Sequence, residues 1–122
     1  MRKHEEDNLH ISVAQFLDLA LPPDACWTTV EHGGRRGKRE AARLKAKGIK
    51  PGWPDIHIVY RGRSINIELK APGGTLSTAQ KVMHERLTLA GALVYTATQI
   101  EQVEGFLRGI MPLRASTGAR AA

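Results

Sequence analysis

The chain has 122 residues, 42% of them hydrophobic and 25% charged, which suits one core and leaves no room for a second domain of ordinary size. Its single cysteine, Cys26, excludes an internal disulfide and a Cys-rich zinc site. No apolar run approaches the ~20 residues that span a bilayer, so a soluble cytoplasmic protein is expected. The formal net charge of +6 is concentrated in one place. Eight basic residues (Arg35, Arg36, Lys38, Arg39, Arg43, Lys45, Lys47 and Lys50) stand against Glu40 alone, a local balance of +7 that leaves −1 for the rest of the chain. Such a segment points to an anionic partner and says nothing about fold.

Along the chain, Leu9, Val13, Phe16, Leu17 and Ala20 recur at helical spacing, predicting a helix over 5–21 that Pro22-Pro23 ends. Residues 26–30, aromatic and β-branched, read as a short strand stopped by Gly33-Gly34. Strong helix formers make 38–47 an exposed basic helix ending at Gly48. Two runs, 55–60 and 64–70, flank Arg61-Gly62-Arg63 and predict a hairpin. Ser77 is placed to cap a helix to about Ala90, with Ala79, Val82, Met83, Leu87 and Ala90 facing the core. Residues 92–96 make a fourth strand and 99–108 a last helix, and the small-residue tail, 113–122, reads as disordered. The order α-β-α-β-β-α-β-α predicts an α/β sandwich around a small mixed sheet, with one domain over 1–112.

The second hairpin strand carries the chemistry. Side chains alternate along a strand, so Asn66, Glu68 and Lys70 share the face opposite Ile65, Ile67 and Leu69. A short turn can bring Asp55, just after Pro54, to the same sheet edge as Glu68. Two carboxylates beside an ammonium suit Mg²⁺-dependent phosphodiester chemistry, because magnesium takes hard oxygen ligands and leaves coordination positions for water and phosphate. A surface ion-pair cluster is the competing reading. His57, two residues beyond Asp55, is expected as a cross-strand neighbour, with a supporting or phosphate-contacting role at the site as the alternative. The other histidines lack zinc-like spacing, and Trp53 is left with two roles, packing under the turn or stacking on a base.

Three segments together carry a resemblance: Gly48-Ile49-Lys50-Pro51-Gly52-Trp53-Pro54-Asp55, then Ile67-Glu68-Leu69-Lys70, then Gly74-Thr75-Leu76-Ser77-Thr78-Ala79-Gln80. With Gly33-Gly34-Arg35-Arg36 and the Glu6 helix upstream, they resemble the VRR-NUC family of the PD-(D/E)xK nuclease superfamily, over roughly Glu6 to Tyr95. The resemblance implies a restriction-endonuclease-like α-β-α-β-β-α-β core. It further implies that Asp55, Glu68 and the Leu69 carbonyl hold Mg²⁺ or Mn²⁺, that Lys70 is the catalytic lysine, and that Gln80 and Glu6 complete the site. Glu5 competes with Glu6 on nearly the same helix face, and a first-turn acid or an exposed helix glutamine is the plain alternative for Glu6 and Gln80.

The resemblance implies a metal-dependent endodeoxyribonuclease of the stand-alone bacterial or phage type, acting as a homodimer on branched DNA such as four-way junctions. Its basic segment from Arg35 to Lys50 would contact phosphates, supplying affinity with little base reading. A non-catalytic DNA-binding module of the same fold is one alternative. A sequence-specific restriction-type nuclease is another, although this short chain has little room for groove-reading elements.

Overall fold

The computed structural model describes residues 2–30 and 37–118. Arg35 and Arg36, the first two cations of the basic segment, lie outside the described residues. The elements are α1 (Arg2–Ala20), β1 (Ala25–Thr29), α2 (Lys38–Ala46), β2 (Ile56–Tyr60), β3 (Arg63–Leu69), α3 (Thr78–Leu89), β4 (Leu93–Ala97) and α4 (Ile100–Arg108). The four strands form one sheet in the order β1-β2-β3-β4, antiparallel except for the parallel β3/β4 pair. A parallel pair cannot be joined by a tight turn, and α3 supplies the crossover.

The sheet divides its work by residue parity. Ile65, Ile67 and Leu69 of β3, with Ile56 and Ile58 of β2, are buried against Val13, Phe16 and Leu17 of α1 and Val103 and Leu107 of α4. Tyr95 of β4 lies opposite Ile67 and stacks on Phe106 of α4, ring centroids 4.5 Å apart, extending this apolar layer over the parallel edge. The alternate residues of β3, Asn66 and Glu68, are buried on the other face, which α3 covers through Gln80 and His84.

The hairpin closes through a two-residue turn. Arg61 (φ 49°) and Gly62 (φ 81°) both adopt the left-handed conformation that a primed turn needs to follow the strand twist. For Arg61 this is an uncommon conformation, and its side chain lies over the Tyr60 ring and pairs with Asp24 at 2.8 Å. The ladder sets Ile56 opposite Ile67 and Ile58 opposite Ile65.

Helix α3 begins as its sequence predicts. Ser77 Oγ accepts from the Gln80 N–H and Gln80 Oε1 accepts from the Ser77 N–H, a reciprocal capping box. By contrast, α2 buries no residue: Lys38, Arg39, Arg43 and Lys45 are all exposed, as are Lys47 and Lys50 after it, and Arg43 forks onto Glu40. No described helix is long and apolar enough to cross a membrane.

The tail departs from its expected disorder as far as Gly118. The Arg114 N–H donates to the Ala20 carbonyl, Ala115 packs against the core, and Thr117 donates through its N–H and hydroxyl to Glu104. Thr117 and Arg108 together hold the Glu104 carboxyl down at about 2. Composition alone reads such small polar residues as loose; a partner 13 positions away fixes them.

Gly52 sets the geometry of the turn that leads into β2. Its φ is +83°, and a Cβ there would stand 2.2 Å from the backbone oxygen of Ala79 in the first turn of α3. The turn therefore touches α3 backbone to backbone. Gly52→Ala should destabilise the protein by more than about 2 kcal/mol, since neither the backbone strain nor the clash can relax cheaply. Urea denaturation checks this, and a wild-type midpoint would show that the turn does not depend on that close approach.

Candidate active site

The β2/β3 register continues beyond its last paired residues, so the step after Ile56↔Ile67 brings Asp55 opposite Glu68. Asp55 is anchored twice: its carbonyl accepts from the Val30 N–H (2.7 Å) and its Oδ2 accepts from the Leu69 N–H (2.8 Å). In an extended strand a residue's N–H and C=O leave on the same edge, so the Leu69 carbonyl is directed to the Asp55 side. The neighbouring Lys70 N–H donates the other way, to Ala97 of β4.

Glu68 is only 2% exposed, an unusual position for a carboxylate. Its Oε2 accepts from Gln80 Nε2 (3.3 Å), and its Oε1 lies 3.3 Å from His84 Nε2. Burial first, then the Asp55 charge and a hydrogen bond with Asp55, push its carboxyl up to about 9; Lys70 opposes the rise and Glu6 adds to it. Two carboxyls thus share one desolvated corner with a lysine within electrostatic reach. Lys70 is half-buried, just past the end of β3.

The first helix contributes Glu6. It is half-buried and close enough to raise Glu68, whereas Glu5 is exposed, so the structure distinguishes the two candidates by position. Gln80 is fully engaged, its Oε1 in the helix cap and its amide on Glu68. His57 bonds Ser64 Oγ (3.2 Å) across the ladder, as a cross-strand neighbour should. Asn66 donates to Ser64 Oγ and to the Leu93 carbonyl, extending a buried polar stripe along β3.

His84 joins the site without any expectation from the sequence. Its burial holds the imidazole below its ordinary pKa, which favours the neutral ring beside Glu68. A signal was present: His84 follows Gln80 by four residues on a helix, and that spacing puts both on one face.

Among the described residues no three or more His, Cys, Asp or Glu side chains are gathered as a metal cluster. A cation here would therefore rely on two carboxylates, a backbone carbonyl and water, the sparse oxygen set that magnesium commonly takes.

Neither a family model nor a curated protein sequence matches the chain. Solved structures do. One described as a "VRR_NUC domain protein" superposes with a TM-score of 0.64 at 22% identity, over 84% of each chain. Another, "VRR_NUC domain", gives a TM-score of 0.58 at 19% identity over 88% of this chain and 98% of the other. The chain is thus a small mixed α/β domain with a four-stranded sheet and four helices. Within that class its fold is that of VRR_NUC domains.

The Glu68 shift has a consequence for stability. Its folded-state value lies above the ordinary 4.5, so the buried acid favours folding fully below about 4.5 and loses that contribution as pH rises through about 9. Without divalent cations, wild-type unfolding free energy should fall across this window, while Glu68→Gln, which cannot ionise, should show a flatter profile. Denaturation in chelator at several pH values measures the difference, and parallel profiles would exclude an acid with a raised pKa.

Proposed function

We propose that this chain is a VRR-NUC family member that cleaves DNA phosphodiester bonds endonucleolytically, with Mg²⁺ or Mn²⁺ held by Asp55, Glu68 and the Leu69 carbonyl. The observation that carries this reading is Glu68, buried against a second carboxylate. Desolvating two such groups together is costly, and a bound dication would offset that cost directly. The donors are all hard oxygens, and Glu6 adds negative charge nearby, so the residues present fit the ion. When bound, a divalent cation supplies positive charge at the scissile phosphate and acidity to water.

The chain's own groups supply the rest. Lys70 is positioned to orient or deprotonate the attacking water, or to hold charge developing on phosphate oxygens. Gln80 and His84 fix the Glu68 carboxylate from α3, and the Leu69 N–H fixes Asp55. The exposed cations of α2, followed by Lys47 and Lys50, lead along the chain to the turn before Asp55, which supports phosphate binding along that path. We further assign branched DNA as the preferred substrate and a homodimer as the working form. Both follow from the sequence resemblance and from symmetry: a two-fold pair of sites would match the two strands of a symmetric junction.

Cleavage of a labelled four-way junction in Mg²⁺, beside linear duplex and flap controls, tests the reading. Asp55→Ala and Lys70→Ala should each lower the rate by at least about a hundredfold while keeping a native melting transition. Cleavage unaffected by both changes would sink the enzyme assignment and leave a DNA-binding module. A separate measurement addresses the basic helix. Replacing Lys38, Arg39, Lys45 and Lys47 with alanine should reduce the slope of log affinity against log salt by about 0.9 for each phosphate that is no longer neutralised. An unchanged slope would move the DNA path elsewhere.

A further inference from the structure

Beside the carboxylates lies a groove that the hydrolytic chemistry does not use. It encloses about 310 Å³ between the turn before β2 and the start of α3, and is lined by Ile49, Lys50, Trp53, Ser77 and Gln80 together with the Pro51-Gly52 backbone. Gln80 is shared with the site, since its amide is on Glu68. A second groove, about 230 Å³, continues along α3 past Met83, Leu87 and Arg86, and Lys50 and Trp53 line this one too. The indole is thus a half-buried wall common to both grooves.

Four observations converge on one kind of occupant. The larger volume sits at the low end of ligand pockets, roughly 300–1,000 Å³, so it suits a planar group and not a duplex. Trp53 is apolar wall to both grooves and Ile49 adds to the larger, while Lys50 lines both and Arg86 lines the second. Among the described residues neither groove is lined by an acid. The basic helix also ends at Ala46, and Lys47 and Gly48 lead from it to Ile49 and Lys50, so a strand following it would arrive at this groove. Apolar aromatic surface accompanied by cations is the arrangement that binds single-stranded nucleic acid, where bases stack and phosphates are neutralised.

We infer that Trp53 is a stacking platform for an unpaired nucleobase of the DNA strand entering the site. The inference rests on the nuclease reading and specifies it: a base reaches Trp53 only if it has left the helical stack. Paired DNA must spend unstacking energy to offer one, whereas a junction, flap or single strand presents it already free. Selectivity for unpaired DNA then resides in this groove, next to the carboxylates and distinct from them.

The test uses binding in chelator, where no cleavage occurs. The chain has two tryptophans, so in Trp27→Phe the fluorescence comes from Trp53 alone. Titration with a short oligothymidylate should quench that emission saturably, and a blunt duplex of equal length should quench it little. Trp53→Ala should weaken oligothymidylate binding about tenfold or more while changing duplex binding less than about twofold, and Trp53→Phe should retain most of the affinity. Absent quenching by oligothymidylate, or equal losses on single strand and duplex, would overturn the platform. The quenching arm leaves Trp53 in place, so it stays decisive even if Trp53→Ala fails to fold. Asp55→Ala separates the two readings: junction cleavage unaffected by it removes the nuclease assignment, whereas its quenching by oligothymidylate tests the platform alone.

Discussion

The structure is organised around an acid that is almost wholly buried. Glu68 stands on a central strand, 2% exposed, with the Asp55 carboxyl across the ladder. Two such groups repel each other when ionised, and each resists losing its hydration. Every neighbouring element answers that problem. The Leu69 amide takes one oxygen of Asp55, the Gln80 amide and the His84 imidazole meet the two oxygens of Glu68, and Lys70 supplies compensating charge. The capping box of α3 is part of the same solution, because the side chain that closes the cap also reaches Glu68.

The stability that tolerates this corner comes from the opposite face of the sheet. Ile56, Ile58, Ile65 and Ile67 are wholly buried against α1 and α4. Each such side chain contributes about 1.5–3 kcal/mol on transfer from water, enough collectively to offset a costly polar site on the reverse side. Core and site are one residue apart along the strand and separated by the thickness of the sheet.

Much of this was legible in the sequence because its signals are local. Ser77 and Gln80 announce the α3 cap at fixed spacing, and the alternation from Ile65 to Lys70 announces two unlike faces. The convergence of Asp55 and Glu68 followed from a short hairpin. Features that depend on distant partners were not legible. His84 shares a helix face with Gln80, but its contact with Glu68 exists only once α3 lies over β3. The residues from Arg114 to Gly118 look compositionally loose, yet Glu104 and Ala20 hold them. Choosing Glu6 over Glu5 needed the rotation of α1 about its axis, which helical spacing fixes only approximately.

The parity of β3 also limits how this hairpin can vary in length. Inserting one residue into β3 beyond Ile65 would turn Ile67 toward α3 and Glu68 toward the aliphatic layer, exchanging core for site along the strand. Such a chain would lose its packing and its carboxylate pair in the same event. Insertions of two residues preserve the alternation and alter only reach. Within this strand, length variation should therefore survive in even steps, and inactive but well-folded frame variants should be scarce.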